Sequence, residues 1–113
     1  MPLNYINNGR YFEWIRQFVL SKENITEVPH FDKVAFKSKS KILMTMNVKE
    51  NRICVRLSLE NQNIFCSYNK NIIYAVPNKW GKHGWTLVNL ADIQLELLED
   101  VINCSYEDIH KKN

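Results

Sequence analysis

The chain has 113 residues, 45% hydrophobic and 24% charged, with three Gly and three Pro; this fits one globular domain and leaves little room for a second. No run of about 18 apolar residues occurs, so no membrane-spanning helix is expected. Net charge is +3, but residues 33 to 82 carry ten Lys or Arg against two acids, a local +8, whereas residues 83 to 113 carry two against six, a local −4.

The N-terminus "MPLNYINNGRYFEW" lacks the basic start and apolar stretch of a signal peptide, so a cytoplasmic location is expected. Residues 1 to 8 are expected to be a loose extension of a single domain spanning 1 to 113. From Gly9 to Lys22 the apolar residues Tyr11, Ile15, Phe18 and Val19 fall at helical spacing, with Asn8 as cap candidate. Pro29 then disfavours helix at Val28, and 22 to 33 reads as a loop with an extended end. Two short strands follow in "KVAFKSKSKILMTMNV", with Val34 and Phe36 opposed to Lys33 and Lys37 and "SKS" as the turn. After "KEN", Ile53, Val55 and Leu57 face one side and Arg52, Cys54 and Arg56 the other. "ENQNIFCSYNK" reads as a short helix or irregular crossover, "NIIYAVP" as a strand stopped by Pro77, and "GWTLVNL" as another strand.

The last segment, "ADIQLELLEDVINCSYEDIHKK", carries a helical stripe of Leu97, Leu98, Val101, Ile102 and Ile109. Asp92 is its cap candidate, and Lys111 and Lys112 suit the negative end of the helix dipole. Two amphipathic helices need a surface on which to bury their stripes, and the apolar face of the sheet supplies it. The order predicts an α+β two-layer sandwich, with a mostly antiparallel sheet and the N- and C-terminal helices on one face.

Three blocks, "VPHFDKVAFKSKSKILMTM", "VPNKWGKHGWTLVNL" and "LELLEDVINCSYEDI", resemble in order and spacing the MmcQ/YjbR family of small bacterial proteins, over roughly residues 9 to 109. The resemblance implies a frataxin-like, or CyaY-like, fold. It also implies DNA binding, a label the family often carries from a double-wing arrangement of β-hairpins. The acidic iron-binding ridge of frataxin does not carry over, because the first helical segment has only Glu13 and Glu23.

The segment "NKWGKHGW" places Lys79, Trp80, Lys82, His83 and Trp85 around Gly81 and Gly84. Cations for phosphates and aromatic planes for bases suit a nucleic-acid contact. Permissive glycines and packing tryptophans suit a structural hairpin with an exposed basic rim, Trp85 being the more buried of the pair. A catalytic His83 would need a nucleophile or carboxylate, and none is near in sequence. Lys37, Lys39 and Lys41 share parity, so on a continuous strand they would project from one face and join Arg52 and Arg56 in a cationic surface. Lysines on exposed strands also discourage edge-to-edge aggregation, which is the plain alternative. His30, with Asp32 two residues on, reads as a solvent-exposed loop residue beside Phe31 as buried anchor.

Cys54, Cys66 and Cys104 form no CxxC pair and read as reduced thiols filling small spaces in the core. The scattered cysteines and histidines offer no metal-ligand spacing. No nucleophile-elbow, phosphate-loop, zinc-protease or dinucleotide motif occurs. A non-enzymatic, monomeric protein without cofactor is therefore expected. Two functions stay open. One is a DNA-binding module using Lys37, Lys39, Lys41, Arg52, Arg56, Lys79, Trp80, Lys82 and His83. The other is a protein-interaction or regulatory domain using the sheet face and the tryptophan hairpin.

Overall fold

Period-two alternation divides this molecule into two unlike faces. The structure is a computed structural model that describes residues 11–111. Six antiparallel strands form one sheet: β1 (Ile25–His30), β2 (Lys33–Ser38), β3 (Lys41–Asn47), β4 (Arg52–Arg56), β5 (Ile73–Ala75) and β6 (Trp85–Asn89). Their spatial order is β1-β2-β3-β4-β6-β5. Helices α1 (Phe12–Leu20), α2 (Leu59–Cys66) and α3 (Leu95–Ile109) cover one face, giving the expected two-layer α+β sandwich. Among the described residues no helix is long and apolar enough to cross a membrane.

The register explains which face is covered. Phe36, Met44, Val55 and Thr86 align in one cross-strand row, and Val34, Met46, Ile53, Val88 and Ile73 in the next. All but the half-buried Val34 are buried. Against them lie Ile15 and Val19 of α1, Phe65 of α2, and Leu98, Val101, Ile102 and Ile109 of α3. Each such aliphatic side chain contributes about 1.5–3 kcal/mol by leaving water. A bulge between Phe36 and Lys37 leaves Leu43 as an extra residue in β3, so that Leu43 and Met44 are both buried. The buried Ser105 hydroxyl lies within hydrogen-bonding reach of the Leu43 carbonyl (3.1 Å) and the Arg56 carbonyl (2.6 Å), docking α3 on two strands. Tyr11 donates its hydroxyl to the Ile93 carbonyl at 2.7 Å and so ties α1 to the segment before α3.

Several sequence expectations are corrected. Residues 25 to 30 form strand β1 rather than a loop, with Pro29 inside it. An edge strand tolerates a missing N–H donor, and β1 is an edge. The α3 cap is Gln94, which makes no side-chain capping bond, and not Asp92. The expected Asn8 cap and the loose extension at 1 to 8 lie outside the described residues, as does Lys112. Phe31 is no buried anchor: it is 95% exposed at the tip of the β1–β2 hairpin. The three cysteines are half-buried free thiols: Cys66 and Cys104 pack against the core, whereas Cys54 faces the open side of the sheet.

Candidate functional site: the open face of the sheet

Opposite the helices, the second set of alternating residues lines an open face. Its central row, fixed by strand pairing, runs Val28, Ala35, Thr45, Cys54, Leu87, Tyr74. These are mostly small or apolar. Cations flank the row. Lys33 and Arg52 lie two residues from it along their strands on one side, and Lys37 and Arg56 on the other. The result is a trough of about 630 Å³, floored by Ile42, Thr45, Cys54 and Leu87, with Val76, Pro77, Trp80 and Trp85 as one wall and His30 and Lys33 at the far end. Among the described residues no carboxylate lines it.

The tryptophan wall is built by the loop between β5 and β6. Asn78 accepts a hydrogen bond from the Trp80 amide on its side chain (2.8 Å) and from the Gly81 amide on its carbonyl (3.0 Å), starting a tight turn. A short 3₁₀ segment, Gly81–His83, continues it. A side chain at Gly81 would put its Cβ 2.0 Å from the Val76 carbonyl oxygen. Gly84 has φ +99°, and a Cβ there would lie 1.9 Å from the Leu57 carbonyl oxygen. Gln62 of α2 locks the loop from beneath, its amide donating to the Gly81 carbonyl at 2.9 Å. The loop thus holds Trp80 54% exposed, while Trp85 is half-buried on β6, the expected order of the pair.

Electrostatics follow from these neighbours. The Arg56 guanidinium lies 6.0 Å from the centre of the Trp85 ring, and the Lys79 ammonium 5.9 Å from that of Trp80, both cation–π distances. Arg52 pairs with Glu50 at 2.6 Å and donates to the Tyr74 hydroxyl at 3.4 Å, which fixes its direction beside the floor. Burial pushes the Cys54 thiol up to about 11, outweighing the opposing pull of Lys33 and Arg52. It stays a neutral, weakly polar part of the floor at neutral pH.

The nine residues singled out by sequence do not converge on one place. Lys37, Arg52, Arg56 and Trp80 belong to the open face, with Lys79 on its rim beside Trp80. Lys37 and Lys41 point to opposite faces, because the two-residue turn at Lys39 and Ser40 pairs Lys37 with Ile42 and Lys41 with Ser38. Lys39 sits exposed in that turn, and Lys41 donates to the Ile109 carbonyl at the end of α3 (3.3 Å). Lys41, Lys82 and His83 instead line a separate hollow of about 410 Å³ with Arg56, Asp108 and Lys111. Sequence reasoning did not select His30, Ile42, Thr45 and Leu87. Thr45 and Leu87 carried a signal, as the period-two complement of the buried residues on their strands, whereas Ile42 reaches the open face only through the bulge between Phe36 and Lys37, which alternation does not reveal.

Neither a protein-family model nor a curated protein matches the chain. Among solved structures it is similar to the crystal structure of Deinococcus radiodurans protein DR2400, which carries a DUF419 family-model domain. The TM-score is 0.77 at 21% identity, over 89% of this chain and 79% of that one. At that identity the likeness establishes a shared fold.

Proposed function

We propose that this protein is a nucleic-acid-binding module that holds a single strand along the open face of its sheet. One observation carries the reading: a trough with an apolar floor, lined by Lys33 and Arg52 with Lys37 and Arg56 farther along the same strands, walled by two tryptophans and, among the described residues, lined by no carboxylate. Phosphates seek cations, and unstacked bases seek aromatic planes. In a duplex the base faces are already stacked, so Trp80 would have nothing to stack on. The MmcQ/YjbR resemblance supports the same class of ligand.

The test is a titration of the protein with single-stranded and duplex oligonucleotides at low salt, read by anisotropy and tryptophan fluorescence. Single strands should bind more tightly and quench the tryptophan emission. With about four cations neutralising phosphates, the log–log salt slope should be roughly −3. Tighter binding of duplex would overturn the single-strand assignment. Absence of any binding at low salt would overturn the nucleic-acid reading and leave a protein as the partner of this face.

A further inference from the structure

Phe31 is 95% exposed, well beyond the next most exposed large apolar side chain among the described residues, Tyr68 at 66%. Its backbone is left-handed, as is that of Lys39 at the same position of the β2–β3 turn, but Phe31 is the aromatic one. Phe31 and Asp32 form the two-residue turn between the paired residues His30 and Lys33. Phe31 has φ +60°, and Asp32 is not among the positive-φ residues. That sign pattern belongs to a II′ turn, whose first central position is ordinarily glycine. A bulky aromatic side chain there is a steric outlier. The Phe31 ring is not part of the hydrophobic core among the described residues, and its aromatic neighbour is His30, edge-on at 5.0 Å between centroids. Backbone strain of this kind clusters at binding and active sites, and here it coincides with an exposed aromatic ring.

The position suggests the use. His30 and Lys33, on either side of the turn, line one end of the open-face trough. Trp80 and Trp85 stand at the diagonally opposite corner, three strands across and four residues along the sheet. Strand spacing and rise put the two aromatic corners about 20 Å apart. We infer that Phe31 is a base-stacking contact for the bound strand at the end of the trough remote from Trp80. The inference rests on the single-strand reading above and extends it, giving the trough an aromatic platform at each end with cations between.

The experiment compares wild type, Phe31→Gly and Phe31→Trp, using a fluorescein-labelled oligothymidylate of about 12 nucleotides, inside the usual range of site sizes. Phe31→Gly should bind about 5- to 150-fold more weakly, the loss expected for one stacked base. Its salt slope should be unchanged because no cation is removed. Its melting temperature should be no lower than that of wild type, since glycine suits the turn. Phe31→Trp should restore binding. Wild-type affinity in Phe31→Gly would overturn the role of Phe31 and leave the trough reading standing. Failure of wild type itself to bind would overturn both. A wild-type dimer in sedimentation velocity that Phe31→Gly dissolves would show a second copy covering the ring, and would also overturn the inference.

Discussion

The two faces of one sheet are built from the same strands, yet they follow different rules. On the covered face, Phe36, Met44, Val55 and Val88 are sealed from water by three helices. On the open face the same strands contribute Thr45, Cys54 and Leu87, with lysine and arginine on both sides. Cross-strand pairing alone would accept larger apolar residues on that floor. The difference shows that the first face is shaped by packing and the second by access: small side chains keep it concave, and cations keep it wet. Substitutions on the two faces should therefore separate cleanly into losses of stability and losses of binding.

The largest effect should come from Leu98→Asp, which places a carboxylate at a fully buried position between α3 and the sheet. The cost is several kcal/mol, and the expected outcome is loss of the cooperative melt in circular dichroism. A wild-type melt would show that α3 has been assigned the wrong face. Gly84→Ala comes next, because φ +99° and the Leu57 carbonyl both oppose a side chain. Strain of about 1–3 kcal/mol should appear as a lower denaturation midpoint, with Trp80 emission altered as the loop shifts.

Asp108 tests the covered layer through pH. Its side chain, 4% exposed, accepts from the Ser58 amide at 2.8 Å and from the Asn61 amide, and so fastens the start of α2 to α3. Burial alone would raise its pKa, but the Ser58, Asn61 and Lys111 hydrogen bonds and the Lys111 charge together hold it below the usual carboxylate range. A folded-state value below the unfolded one adds stability that is fully present above the unfolded pKa, near 4, and is lost as pH falls through the folded value. Asp108→Asn should therefore lower the melting temperature at pH 7 and flatten its acid dependence below about pH 4. An unchanged acid limb would mean that other carboxylates control it.

Smaller still are the tryptophan effects, which sharpen the comparison on the open side. Trp85→Ala removes a half-buried ring stacked near Arg56 and should cost less than the roughly 3–5 kcal/mol of a core aromatic. Trp80→Ala, at an exposed site, should stay within about 0.5 kcal/mol while weakening oligonucleotide binding. Equal destabilisation by both would make the loop a structural hairpin only.

Much of the covered face was legible in the sequence, because burial leaves a periodic trace. The stripe from Leu97 to Ile109 and the alternation from Arg52 to Leu57 both specify their inward side without tertiary information. Strand β1 was hidden by Pro29, whose meaning depends on whether the strand lies at an edge, which pairing alone reveals. The candidate site was less legible. Lys37 and Lys41 share parity in sequence, but the turn at Lys39 and Ser40 reverses the chain and sends them to opposite faces. Lys82 and His83 are neighbours of Trp80 in sequence, yet the 3₁₀ turn carries them to the hollow beside Asp108. Phe31 gave no sign of its exposure, since an apolar residue after Pro-His ordinarily reads as an anchor.

The central claim is that the open face, rather than overall basic charge, binds the strand. It is tested most directly by two charge-matched reversals, Lys33→Glu with Lys37→Glu on the open face and Lys49→Glu with Lys70→Glu on exposed turns that do not line the trough. Melting temperatures of both should lie close to wild type, because exposed charges contribute little to stability. Single-strand affinity at low salt should collapse for the Lys33 and Lys37 pair and fall only slightly for the Lys49 and Lys70 pair. Equal losses in the two variants would contradict the account, because binding would then follow net charge and owe nothing to the trough.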